Sequence, residues 1–180
     1  MADLASSDHG PWLPPDRLEL IRASVPLVYV EAIPVRTDDD GTITHVGLLL
    51  GAPRSERIER AIVSGRVMYL EPLREALKRN IEKDLGPLAL PRIPYSPVPF
   101  TVRQYVPHTL DSSDPSLSYD PRQHAVALVY VVPIAGDVQI EGDCLGFDWF
   151  DIDDVRSPAL ADELASGHGE ILAQLAATCR

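Results

Sequence analysis

The chain has 180 residues, a formal net charge of −11, 45% hydrophobic residues and 24% charged residues. These values fit one globular domain whose core needs no staple, and they exclude wholesale disorder. The acidic balance argues against nucleic acid held on a broad electrostatic surface, but leaves room for small anionic ligands gripped by a few arginines or a bridging cation.

Cys144 and Cys179 lie far apart and make no disulfide framework, so a reducing cytoplasm is the expected compartment. No apolar run approaches the ~18–20 residues of a membrane span, and no membrane partner is expected. "MADLASSDHGPW" carries acids and no apolar stretch, unlike a secretory signal. Residues 1–11 are expected to form a disordered tail, and residues 12–180 a single domain.

"PPDRLELIRASVP" reads as a short helix, with Pro15 near its start, Asp16 in the first turn and Pro26 as its stop. "LVYVEAIPVRT" has the β-branched and aromatic content of a strand, in which Pro34 points to an edge position or a bulge. After the turn "DDDG", "TITHVGLLLG" is a second strand, so residues 27–50 form a hairpin. A charged loop leads to a short strand around Arg60 to Ser64. A helix follows, with Pro72 at its first turn and Leu73, Ala76, Leu77, Ile81 and Leu85 as its apolar stripe. Gly86-Pro87 ends it, and Arg74, Lys78 and Glu82 fall on a solvated outer face. The proline-rich "LALPRIPYSPVPF" is a stiff connector into the strand "TVRQYVP". His108 to Arg122 is polar and turn-rich, an exposed loop of the kind that often carries function. "HAVALVYVVPI" reads as a buried strand, "FDWFDIDDV" as a short strand entering a turn, and the remainder as broken helix.

The stretch "GRVMYLEPLREALKRNIEKDLG" sets Gly65, Glu71, Arg79 and Gly86 at fixed offsets. These offsets resemble the Nudix box, G-x5-E-x7-R-E-U-x-E-E-x-G-U, where U is a bulky aliphatic residue. With the strand order, "DPRQHAVALVYVV" and the acidic "FDWFDIDDV", the resemblance covers roughly residues 26–176. It implies an α/β fold, the Nudix α/β/α sandwich around a mixed central β-sheet.

The resemblance also divides the box by role. It implies that Gly65 and Gly86 permit a tight loop and stop the helix through positive φ. Glu71 and Arg79 are implied to form a buried pair clamping loop to helix, in which stranding either charge costs several kcal/mol. The family's Pro-Gly before the box is replaced by Val63-Ser64. The family's three acids hold Mg²⁺ or Mn²⁺, which neutralise a diphosphate and activate water for in-line attack. Here those positions hold Asn80, Lys83 and Asp84. A carboxamide is a weak neutral donor and an ammonium repels a cation, so these residues oppose the Mg or Mn that the resemblance implies. Asp84 is left as the candidate catalytic and metal residue, with Asn80 as a weaker metal candidate.

Glu75 and Glu82 turn away from that edge. Asp137, Glu141 and Asp143 either complete a site from a late loop or cap a solvated hairpin. Lys83 has two readings, one as a direct phosphate contact and one as the partner of Asp84 or Glu82. Arg54, Arg57, Arg66, Arg103 and Arg122 come from segments able to line one mouth as ligand-binding residues. His108 and His124 flank the long loop, either as ligand contacts or as ordinary surface or core histidines.

Two functions follow. The first is a Nudix protein with weak or no pyrophosphohydrolase activity that binds a nucleotide or other diphosphate-containing ligand. The alternative is an active Mg- or Mn-dependent hydrolase of a nucleoside diphosphate-linked metabolite. Nudix domains commonly pair, so the resemblance also implies a homodimer.

Overall fold

The computed structural model describes residues 13–51, 57–107, 114, 117–140 and 144–179. Arg54, His108, Glu141, Asp143 and the tail expected at residues 1–11 lie outside the described residues. Helix α1 (Pro15–Arg22) begins with proline at its first position and precedes strands β1 (Leu27–Thr37) and β2 (Ile43–Gly51). Two short strands, β3 (Glu59–Ala61) and β4 (Val63–Arg66), replace the single one expected around Arg60. Helix α2 (Leu73–Leu85) runs into a 3-10 turn at Pro87–Ala89. Strands β5 (Thr101–Val106), β6 (Leu117–Tyr119), β7 (Ala125–Pro133) and β8 (Gly146–Asp151) follow. The chain then makes a second 3-10 turn (Asp154–Arg156), a short helix α3 (Pro158–Ala161) and helix α4 (His168–Thr178).

The eight strands make one mixed sheet with the path β3-β2-β1-β7-β5-β6, in which β4 adds to β1 and β8 to β2. Strand β1 lies in its middle, parallel to β7 and antiparallel to β2 and β4. This corrects the edge position expected from Pro34. Val35 gives its carbonyl to the Ile134 N–H on the β7 side, so by alternation the ring nitrogen of Pro34 faces the other way. On that side β4 pairing stops at Ala32 and β2 pairing starts at Val35, so no ladder partner is missed.

That gap is a fork. Strands β1 and β2 pair at their hairpin end and then diverge, and the ribbon of β3 and β4 enters between them. Ile62, at the crotch, is buried, and its N–H finds the imidazole Nδ1 of His168 at 3.3 Å. The loop expected from His108 to Arg122 also contains structure. Strand β6 pairs parallel with β5, and Ser118, Asp120 and Gln123 around it are buried.

Alternation splits the core in two. Val30, Ala32, Tyr130 and Val132 pack against Ala76, Leu77, Ile81 and Leu85 of α2. Ile33, Val35 and Val129 pack on the opposite face against Ile171, Leu172 and Leu175 of α4. The expected α/β/α sandwich is the observed architecture. No described helix is long and apolar enough to cross a membrane.

Candidate functional site

The box begins where β4 leaves the sheet. Gly65 faces α2, and a Cβ placed on it would collide with the side chain of Asn80. Only a residue without a side chain lets helix and strand approach this closely. Gly65 is not among the positive-φ glycines, so its role is close approach; Gly86, with φ 82°, does end α2 in the left-handed region. The loop between is closed by two bonds, Met68 N–H to Glu71 Oε2 at 2.9 Å and Glu71 N–H to Met68 O at 3.1 Å.

Arg79 locks this loop to the helix. Its Nε and Nη2 donate to the two oxygens of Glu71 at 2.6 and 2.8 Å, and Nη2 also donates to the Arg66 carbonyl at 2.8 Å. The Arg79 hydrogen bonds hold the Glu71 carboxyl below its ordinary range. Gly65, Glu71, Arg79 and Gly86 thus form one rigid loop–helix unit.

The stripe expected on α2 is wider than its apolar residues, because Asn80 and Asp84 are buried beside it. Asn80 donates from Nδ2 to the Ala76 carbonyl at 2.8 Å, and its Oδ1 receives Arg79 Nη1 at 3.5 Å. Asp84 holds the Lys83 ammonium at 3.0 Å. A hard divalent cation wants about six oxygens, several of them anionic. This edge offers one carboxylate already neutralised by an ammonium and one carboxamide already turned to its own helix, which is a poor fit. Among the described residues no three of His, Cys, Asp and Glu converge as an ion would need. Glu75 pairs with Arg74, and Glu82 lies 3.7 Å from Lys78, both on the outer face. A groove of about 600 Å³ runs along this side, lined in part by Glu71, Arg79, Glu82 and Lys83.

Burial pushes the Asp84 carboxyl above its ordinary value of 3.8, and Lys83 only partly offsets that. A raised acid binds its proton more tightly in the folded state, so folded-state stability falls as pH rises through the raised value, and the cost persists at neutral pH. We expect Asp84→Asn to stabilise the protein near neutrality and to lose that advantage below the ordinary aspartate range. Urea melts at neutral and acidic pH measure it; an equal effect at both would show that the gain is not electrostatic.

Of the expected cations, Arg66 and Arg103 share one row of the sheet, separated by two strands. Strand alternation sends Arg66 to the face opposite Gly65, the face on which α4 packs. There Arg66 pairs in register with Tyr29, Tyr29 with Ala127, and Ala127 with Arg103, so two arginines flank a floor of one tyrosine and one small residue. Arg103 donates to Ser118 Oγ at 2.9 Å. The Nη1 of Arg66 is buried and makes no hydrogen bond among the described residues. Arg122 is tied to the buried Asp120 at 2.8 Å, and Arg57 donates to the Asp162 carbonyl, also at 2.8 Å. The Nε2 of His124 is buried and makes no hydrogen bond among the described residues.

Sequence reasoning missed the neighbouring acid. Glu31 is wholly buried in β1 and accepts from Tyr105 Oη at 3.0 Å and from Ser64 Oγ at 3.2 Å. The Nε2 of His168 lies 3.7 Å from its carboxylate, completing a polar cluster beside the Arg66–Arg103 row. A glutamate inside "LVYVEAIPVRT" was the available signal, because a charge in the middle of a buried strand needs a partner.

The sequence matches the family described as Domain of unknown function (DUF4916) over residues 8–180. No curated protein matches it significantly. Among solved structures it is similar to a Jonesia denitrificans protein described as a possible asymmetric diadenosine tetraphosphate (Ap4A) hydrolase. The identity is 47%, the match covers 87% of this chain and 96% of that one, and the TM-score is 0.79. It is also similar to the NUDIX domain of Shewanella oneidensis NrtR, solved with ADP ribose, at 15% identity, 93% and 94% coverage and TM-score 0.60. A NUDIX hydrolase from Nitrosomonas europaea matches at 16% identity, 87% and 92% coverage and TM-score 0.58.

Proposed function

From the premise that the chain belongs to the family described as Domain of unknown function (DUF4916) and shares the fold of NUDIX proteins, we propose that it binds a nucleotide or other diphosphate-containing ligand and hydrolyses it weakly or not at all. One observation carries the second half. Each polar side chain at the box edge already faces a donor of the chain: Glu71 faces Arg79, Asn80 faces Arg79, and Asp84 faces Lys83 through one of its two oxygens. In-line attack on a diphosphate needs an activated water as well as charge neutralisation, and the described residues gather no cluster of acids to hold a water-activating cation.

The ligand class rests on the cations. Arg66 and Arg103 flank one floor, and Arg66 keeps a buried donor in reserve. A guanidinium meets phosphate oxygens with paired N–H groups. The relative at 47% identity, described as a possible diadenosine tetraphosphate hydrolase, favours a ligand with adenosine and several phosphates.

Calorimetry with diadenosine tetraphosphate and ADP-ribose, beside chromatographic assay of both with Mg²⁺ and Mn²⁺, tests the proposal. We expect saturable binding and turnover at least ~100-fold below the roughly 1 per second at which ordinary enzymes begin. Turnover at or above that rate overturns it.

The name given to the same relative favours a second reading, an active hydrolase in which Asp84 carries the chemistry. Under that reading Asp84→Ala abolishes a measurable turnover, and a wild-type protein without turnover ends it.

A further inference from the structure

We propose that the Lys83 ammonium occupies the station of a divalent cation in this chain, so that the box edge takes up no metal and a ligand's phosphate oxygens meet Lys83 directly. The inference rests on the reading of the protein as a diphosphate binder and adds a phosphate contact on the α2 side of the sheet, opposite the face that carries the Arg66–Arg103 row.

The geometry supplies the argument. Asp84, with its side chain 11% exposed, fixes the ammonium at 3.0 Å, while the lysine side chain itself is 55% exposed. An ammonium has three N–H donors, and Asp84 engages one, leaving two for oxygens arriving from the groove that Lys83 lines. A metal ion entering here would meet the Lys83 ammonium on Asp84 Oδ1 at close range. The Asn80 oxygen, the atom a carboxamide offers a metal, already faces Arg79 Nη1 at 3.5 Å. Phosphate meets no such opposition, since it is attracted by the ammonium already present. A lysine on a flexible stem acts as a point charge and suits a ligand whose phosphates vary in number. The three carboxylates that share the groove, Glu71, Glu75 and Glu82, face Arg79, Arg74 and Lys78 respectively, so an arriving anion meets Lys83.

Two measurements decide it. In the first, Mn²⁺ uptake is followed by equilibrium dialysis. Wild type should show no saturable uptake at millimolar metal, whereas Asn80→Glu/Lys83→Glu should bind one ion; Lys83→Glu alone, an exposed change, guards against misfolding of the pair and should bind more weakly. Saturable wild-type uptake that disappears in Asp84→Ala overturns the proposal, as does failure of both folded Glu variants to gain metal. In the second, diadenosine tetraphosphate is titrated calorimetrically in EDTA and in Mg²⁺. Equal affinity in both, falling about tenfold in Lys83→Met as expected for one charge-assisted hydrogen bond, supports it. Affinity that requires Mg²⁺, or that ignores Lys83→Met, overturns it while leaving the protein a diphosphate binder. Absence of binding in either buffer overturns the diphosphate reading itself, and the Mn²⁺ measurement then stands alone as the judge of the metal station.

Discussion

Gly65→Ala is expected to destabilise the protein by about 3 kcal/mol, roughly 6–12 °C in melting temperature for a chain of this size. The added methyl points from β4 straight at the carboxamide of Asn80, a short side chain that is 2% exposed. That group cannot swing aside at low cost. Its Nδ2 holds the Ala76 carbonyl, and its oxygen faces Arg79. Moving it either opens α2 away from the sheet or strands a buried amide, and each route costs between one and three kcal/mol, about what overpacking or an unmade hydrogen bond costs elsewhere. The backbone at Gly65 does not use positive φ, so backbone strain contributes nothing here. This separates two causes that a sequence pattern merges. If close approach is the cause, Asn80→Ala should relieve much of the loss, and the double-mutant cycle should show coupling of about 1 kcal/mol or more. Chemical denaturation of the four proteins measures it. Strictly additive losses would place the demand for glycine in the loop and not in the contact.

The same comparison shows how far the sequence carries. Periodicity read the box helix well, because Leu77, Ile81 and Leu85 obey the 3.6-residue rule whatever surrounds them. It could not place Asn80 inside, since its burial is decided by β4 and its missing side chain, a contact between separate elements. Pro34 misled for a related reason. A proline in a strand signals a missing donor, but a fork in the sheet supplies a central place where no donor is wanted. The Glu71–Arg79 clamp was legible from the resemblance, and its bonds form, but the pair is half-buried where a buried one was expected. The placement of Arg66 and Arg103 in one row across four strands was not, because register depends on partners more than twenty residues apart. Glu31 stood in plain view among apolar neighbours, yet its partners come from β4, β5 and α4, which no local pattern links.

Those partners make Glu31 the residue whose loss should matter most. Glu31→Ala is expected to destabilise by about 3–4 kcal/mol, the usual result of deleting one member of a buried charged or hydrogen-bonded group. The side chain is wholly buried and bridges three elements: Ser64 on β4, Tyr105 on β5 and His168 at the start of α4. Removing it leaves a hydroxyl, a phenol and an imidazole around a void with no carboxylate to receive them. Glu31→Gln keeps the volume and one acceptor oxygen but introduces an amide donor toward groups that are themselves donors, so a loss near 1–2 kcal/mol is expected. Tyr105→Phe should cost about 1 kcal/mol, and its cycle with Glu31→Ala should be strongly non-additive, since the phenol's bond exists only while the carboxylate does. Tyr69→Ala, at a side chain 86% exposed, serves as the control and should change stability by less than about 0.5 kcal/mol. Guanidinium melts give all four values. The cluster adjoins the Arg66–Arg103 row, two residues along β1 from Tyr29 on the same face, so loss of Glu31 should also perturb that row. An Ala substitution that costs under about 1 kcal/mol would mean the cavity relaxes or fills with water, and the acid would then be a ligand contact more than a strut.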